Sequence, residues 1–289
     1  MRGADAVDAV LEAAVVPSFT RIGPMVRSRL EHWPAAASDL TGRVIVITGA
    51  TSGLGLAAAR AVIAAGASLE LVARNPEKAE TTASVLRADE PGAAIGVTIA
   101  DTGDLDAVRD AAAQLHTRHE RIHALVHNAG ALDAEYRATA DGIEGTIASQ
   151  VVGPFLLSAL LADRLAAAAP GRIIWVSSGG MYTEPLSVAA LDISPADYRG
   201  TVAYARAKRA QVTLTEMMAA RVDPGAVVVH AMHPGWALTP GVERSLPTFR
   251  RVVGPLLRTP DQGADTLVWL AADDGAPRAS TGGFWLDQI

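Results

Sequence analysis

Val44-Ile-Val-Ile-Thr48 runs directly into Gly49-Ala-Thr-Ser-Gly-Leu-Gly55, and a helical run, Leu56 to Ala65, follows. A β-rich apolar strand, a glycine turn and a helix in this order form the context in which a glycine fingerprint carries meaning. Gly49 permits the tight turn, Gly53 lets the backbone come close to a pyrophosphate, and Gly55 allows close packing of helix on strand. Amide dipoles at the helix N-terminus then face the phosphate charge. Thr51, Ser52 and Leu54 complete the expected cofactor-holding loop.

The pattern continues on either side. Ser68–Ala73, Ala94–Ala100, His123–His127, Arg172–Ser177, Val227–Met232 and Gly283–Leu286 read as further strands, separated by Ala-rich or amphipathic runs of helical length. Such alternation implies an α/β fold, a single Rossmann-like doubly wound parallel sheet of about seven strands with helices on both faces. Ligands in such sheets bind beyond the carboxyl ends of the strands. We therefore expect one domain over residues 41–289, preceded by an N-terminal helical extension over residues 1–40. In that extension Val7, Val10, Leu11 and Ala14 follow helical spacing, Pro17 interrupts, and Ile22, Val26, Leu30 and Trp33 resume. Arg21, Arg27 and Arg29 decorate the second segment. Three basic residues are few for a membrane-surface helix, so packing on the body or on a partner subunit is the preferred reading.

Composition narrows the function. With 49% hydrophobic and 19% charged residues, the 289-residue chain has ample core material. A net charge of -6 argues against nucleic acid as a partner. Cysteine is absent, which removes disulfides and thiolate metal sites. The most apolar stretch, Val151 to Ala169, contains Asp163 and Arg164, so no transmembrane segment is expected. Asp5, Asp8 and Glu12 at the N-terminus do not suit a signal peptide, and a cytoplasmic location is the expectation. His116, His119, His123 and His127 are close in sequence, but two fall near a helix end and two bracket a strand, so no metal site is expected. His127 and His233 read as structural histidines.

The end of the second strand bears on the cofactor. Glu70 lies mid-strand, away from the carboxyl end where a ribose would sit. The residue at that end is Ala73, followed by Arg74, an arrangement with no carboxylate to repel a 2′-phosphate and a cation to pair with it. NADP(H) is favoured over NAD(H). Asp101, ending the third strand, is placed either to accept from an adenine amino group or to cap the next helix.

Tyr204 and Lys208, in YARAK, are four residues apart and share a helix face. An ammonium beside a phenol favours phenolate, and lowering a tyrosine pKa by about three units takes roughly 4 kcal/mol of differential interaction. The outcome would be an acid/base able to work near neutrality.

TGATSGLG, His127-Asn-Ala-Gly130, Val176-Ser-Ser178, YARAK and Pro234-Gly-Trp-Ala-Leu-Thr239 occur in this order, and together they resemble the short-chain dehydrogenase/reductase superfamily from about Asp39 to the end. Ser177-Ser-Gly-Gly-Met181, Tyr204 to Thr215, Met232 to Val242 and Gln262-Gly-Ala-Asp-Thr266 resemble the family member 12 branch, which also carries an N-terminal extension. The resemblance implies Tyr204 as general acid/base, Lys208 lowering its pKa and holding the nicotinamide ribose, and Ser178 hydrogen-bonding the substrate oxygen. It further implies that Asn128, with Ala129 and Gly130, braces the sheet beside the cofactor. Pro234, Gly235, Trp236 and Thr239 would hold the carboxamide. The chain departs from the family at Gln150, where an asparagine would help to hold a proton-relaying water. The main-chain carbonyl could retain that role, or the longer side chain could obstruct the water. A homo-oligomer through the helices around Gln150 and Tyr204 is a further implication.

Between Ala237 and Pro260, Leu246, Phe249, Val252, Val253, Leu256 and Leu257 recur near helical spacing, interleaved with Arg244, Arg250 and Arg251. The segment follows the carboxamide motif, where the resemblance implies a substrate-covering lid, and an apolar lid face would suit a hydrophobic small-molecule substrate; plain packing onto the core is the other reading. The functional expectation is hydride transfer between nicotinamide and a carbonyl or alcohol. The alternatives are a non-redox enzyme (cyclase, isomerase or dehydratase) and a cofactor-binding regulatory protein.

Overall fold

The structure is a computed structural model that describes residues 14–30, 39–245 and 247–289. Seven strands form one parallel sheet in the order β3-β2-β1-β4-β5-β6-β7. They are β1 (Val44–Thr48), β2 (Ser68–Ala73), β3 (Ile95–Ile99), β4 (Ala124–His127), β5 (Gly171–Val176), β6 (Val227–Met232) and β7 (Phe284–Trp285). β1, β2 and β6 have the boundaries expected from sequence, and the others differ by one or two residues at an end. The order reverses between β1 and β4, where a crevice opens at the carboxyl ends.

Alternation along the strands sends side chains to two cores. Ile45, Ile47, Leu71, Val126 and Ile174 join one face with the helices α1 (Gly53–Ala64) and α2 (Pro260–Ala272). Val46, Val72, Leu125, Ile173 and the fully buried Trp175 join the other face with α3 (Leu105–Arg118) and α4 (Gly153–Leu160). Strands buried on both faces have no polar side, which is why they read as continuous apolar runs. Glu70 is the exception within β2. Its carboxylate is 5% exposed, 2.7 Å from His119 Nε2 and 3.3 Å from Arg118. Gly96 on the neighbouring strand makes room for it, since a Cβ there would meet Glu70 Oε1 at 2.1 Å.

The helices begin where polar side chains supply caps. Asp104 accepts from the amides of Asp106 and Ala107 at the start of α3, and Thr259 forms a capping box with Gln262 at α2. After β4 the chain forms a short turn of helix at Gly145–Ile147, a π-helical segment at Ala148–Val152, and then α4. The long helix α5 (Gly200–Ala219) carries Tyr204 and Lys208.

Residues 16–30 lie against the main body. Val16–Phe19 is a single helical turn and Ile22–Leu30 a longer helix. Val7, Val10, Leu11 and Trp33 fall outside the described residues. Arg27, expected to decorate this helix, is instead buried, and its Nη1 lies 2.8 Å from Asp287 Oδ2. The same carboxylate accepts from Arg258, whose Nη2 is 2.9 Å from Oδ2. Arg258 also donates to the main-chain oxygens of Ser18 and Thr20. Residues 260 apart in sequence thus share one dry ion cluster. Gly23 permits the approach, because a Cβ there would sit 2.2 Å from Ser18 O and 2.9 Å from Asp287 Oδ2. Among the described residues, no helix is long and apolar enough to cross a membrane.

Removing the shared carboxylate leaves two buried guanidinium groups facing each other. Asp287→Asn is expected to lower unfolding free energy by about 3–5 kcal/mol, read as a reduced midpoint in urea denaturation. An unchanged midpoint would mean that the cluster carries no net stabilisation.

Candidate active site

The glycine loop between β1 and α1 keeps the geometry its sequence implied. Gly49 and Gly53 have φ of +69° and +56°, a region that favours glycine. A Cβ on Gly49 would lie 2.8 Å from Ala129 Cα, and one on Gly55 would lie 2.4 Å from Asn128 Nδ2. Ser52 precedes α1 in extended conformation without a side-chain cap, so the first amides of the helix take no hydrogen bond from it. Leu54 turns toward Gly263 on α2 and packs in the core. Thr239 lies over the loop, its Cβ 3.4 Å from the position a Cβ on Gly53 would take.

Asn128 braces this loop from β4. Its Nδ2 donates to the main-chain oxygens of Thr48 and Gly49, at 3.0 and 3.1 Å. Thr48 Oγ1 accepts from the amides of Asn128 and Ala129 and donates to Val126 O. β1 and β4 are thereby cross-linked beyond their shared ladder, at the point where the strand order reverses. Arg74 is exposed just after β2, and Asp101 Oδ1 accepts from Gly103 N in a tight turn. The N-cap of α3 is Asp104 rather than Asp101.

Ser178 follows β5 and accepts from Gly180 N at 3.2 Å. Tyr204 is half-buried beside it, and Lys208 Nζ is 5.4 Å from the centre of the Tyr204 ring. Lys208 is buried and donates to Val176 O at 2.9 Å and to Gln211 Oε1 at 3.3 Å. Burial pulls the ammonium down to about 7. Burial also pushes the Tyr204 phenol above its usual value, and a hydrogen bond with Ser178 only partly opposes this. The expectation of an acidified phenol is therefore corrected. Desolvation acts on both members of the pair, disfavouring the phenolate as well as the ammonium.

Gln150 sits in the π-helical segment, 1% exposed. Its Nε2 donates to Ala131 O at 2.7 Å, and its Oε1 has no hydrogen-bond partner among the described residues. The Gln150 main-chain oxygen accepts from Gln211 Nε2 at 2.7 Å. One amide side chain thus links the distorted helix to Lys208, a contact the sequence reading missed. Its spacing of three residues from Lys208 on the same helix was the available signal. Ser177 was missed as well. Its Oγ donates to Lys208 O at 2.8 Å and ties α5 to the end of β5.

The histidines separate as their positions suggested. His127 Nε2 meets Ser158 Oγ at 2.6 Å, its ring lies against Trp175, and burial pulls it down to about 3. His233 Nδ1 accepts from Gly235 N at 2.7 Å and is likewise pulled down to about 3 by burial. His119 turns to Glu70, His123 accepts from Val44 N, and His116 lies near Leu160 O. Among the described residues, no three His, Asp or Glu side chains gather as metal ligands would.

The Pro234–Gly235 turn is held from behind. Gly235 has φ +68°, and a Cβ there would meet Arg258 Nε at 2.2 Å. Trp236 O accepts from Arg258 N at 2.8 Å, and Leu238 N donates to Arg258 O at 2.9 Å. In the segment beyond, Leu257 is buried while Leu256, Arg250 and Arg251 are exposed. The side chains of Arg244, Leu246, Phe249 and Val252 fall outside the described residues.

A seven-stranded doubly wound sheet, with a glycine loop at its topological switch and a Ser-Tyr-Lys grouping across the crevice, defines an α/β oxidoreductase of nicotinamide type. The model of the short chain dehydrogenase family matches residues 43–248. The chain belongs to that family, whose members bind a nicotinamide cofactor. It is 34% identical over 252 residues to human dehydrogenase/reductase SDR family member 12, covering 86% of this chain and 78% of that protein. A Streptomyces sp. (strain C5) protein named as a candidate daunorubicin C-13 ketoreductase, DnrU, is 36% identical over 86% of this chain and 84% of its own length. A solved short chain dehydrogenase/reductase family protein superposes with a TM-score of 0.67 at 27% identity, covering 86% of this chain and 96% of that one.

The depressed Lys208 value sets a pH signature. An unfolded lysine titrates near 10.4, whereas the folded group does so at about 7. Between these values the unfolded chain holds the extra proton, so stability rises with pH across that window. Lys208→Met is expected to abolish this rise, and the difference between the two proteins' unfolding free energies from pH 7 upward measures it. A difference that does not change with pH would show that Lys208 titrates normally.

Proposed function

We propose that the protein is an NADP(H)-dependent oxidoreductase that interconverts a carbonyl and an alcohol on a hydrophobic small molecule. The carrying observation is the meeting of Ser178, Tyr204 and Lys208 at the carboxyl end of β5 and on α5, across from the glycine loop. The residues fit the cofactor. Positive-φ glycines, the uncapped start of α1 and Thr239 above Gly53 make a cradle that side chains would fill. Bound nicotinamide would supply or accept the hydride.

In this reading the protein's residues handle position and the proton. Ser178 donates to the substrate oxygen and holds it against Tyr204. Tyr204 gives its proton to that oxygen in reduction and takes it back in oxidation. Lys208, held by Val176 O and Gln211, lies close enough to the phenol to stabilise the charge left on it. The clamp from Gln211 to the Gln150 carbonyl keeps the lysine from swinging away when protonated.

Preference for the 2′-phosphate is supported by Arg74, exposed one residue beyond the buried Ala73. It is also supported by the inward Glu70, committed to Arg118 and His119 and thus unable to meet a ribose. A hydrophobic substrate is supported by the relative named as a daunorubicin C-13 ketoreductase.

Tyr204→Phe is expected to lower turnover with NADPH by at least about a hundredfold and to leave NADPH affinity within about twofold, measured by steady-state kinetics and ligand fluorescence titration. Retained turnover in that variant would refute the assignment. Arg74→Ala is expected to weaken NADPH binding about tenfold, the loss of one charge-assisted phosphate contact, with NADH binding unchanged. Equal weakening of both would assign Arg74 a structural role.

A further inference from the structure

The segment that ends in Phe19 lies outside the matched family region, which begins at residue 43, and its place in the molecule is specific. Phe19 O accepts from Trp236 N at 2.6 Å. The Phe19 ring lies 4.4 Å from that of His233, 5.7 Å from Trp236 and 6.4 Å from Tyr182, stacked on the last at 23°. Gly179, the residue after Ser178, leaves space for it, since a Cβ there would come 3.3 Å from Phe19 Cε2.

Two loops are thereby bridged. One, after β5, carries Ser178 and Tyr182; the other, after β6, carries Pro234, Gly235 and Trp236. In a chain only 4% aromatic, three of the rings gather on these two loops and the segment between them. Tyr182 is 59% exposed, so one side of its ring stays open beyond the contact with Phe19. The segment is also fixed rather than draped. Arg258 donates to Ser18 O and Thr20 O, Arg21 N donates to Leu256 O, and Arg27 pairs with Asp287.

We propose that residues 16–20 form a wall of the substrate pocket, and that Phe19, Tyr182 and Trp236 make an aromatic slot selecting flat, ring-bearing ketones, aldehydes or their alcohols over small aliphatic ones. The assignment rests on the oxidoreductase reading and adds its substrate class. Offset and edge-on ring contacts reward a planar aromatic partner beyond simple area burial. A small aliphatic carbonyl offers these rings no planar aromatic face to hold.

The test uses the full chain with NADPH and two probe ketones, acetonaphthone and cyclohexanone. The wild type is expected to prefer acetonaphthone. Phe19→Ala is expected to lower kcat/KM for acetonaphthone about tenfold, chiefly through KM, while cyclohexanone kinetics and NADPH affinity stay within about twofold. Phe19→Leu, which keeps most of the packing volume, checks against misfolding and should fall between the two. Equal losses for both ketones, or no loss for either, would overturn the slot. Acetonaphthone binding is measured separately on NADP-loaded Tyr204→Phe, with and without Phe19→Ala. Binding weakened by Phe19→Ala supports the slot even where neither ketone is turned over, an outcome that would count against the oxidoreductase reading alone. Binding unaffected by Phe19→Ala removes the slot whatever the turnover.

Discussion

An ammonium taken out of water at the end of β5 is the constraint around which this site is organised. Transfer of a lysine from solvent costs free energy unless donors meet acceptors, and the surroundings of Lys208 answer that cost with a main-chain oxygen from β5 and an amide oxygen from its own helix. Ser177 fixes the backbone of Lys208 to the strand. The π-helical bulge presents a carbonyl to the far end of the same amide. Loosening any one of these leaves a buried donor or acceptor unmet, so lysine, glutamine and bulge behave as one unit.

Much of the framework was legible because it obeys short-range rules. Strands such as Val44–Thr48 and Val227–Met232 are apolar on both faces and bounded by turns, and their ends match. Glu70 was read as mid-strand, and β2 does run three residues beyond it, for strand direction alone fixes which residues reach the carboxyl end. The glycine loop declared itself through Gly49 and Gly55, where a Cβ would clash, and through Gly53, held at positive φ.

What stayed hidden depends on burial and on distance along the chain. The Tyr204 phenol is pushed up rather than down because desolvation, invisible in a motif, exceeds the opposing effect of its hydrogen bond with Ser178. Arg27 looked like surface decoration, since its partner Asp287 lies at the opposite end of the sequence. Phe19 drew no attention because nothing near it in sequence announces Ser178 or the Pro234–Gly235 turn. Gln211 was within reach, three residues from a lysine already singled out.

The cluster joining Arg27, Arg258 and Asp287 has a consequence for how such a molecule can diversify. It fastens a leading segment to the main body through ion pairs and main-chain oxygens, none of which uses the side chain that segment carries at its tip. Selection for a new metabolite can then act on a few leading residues while the proton-handling apparatus is inherited untouched, provided the closing aspartate keeps its grip.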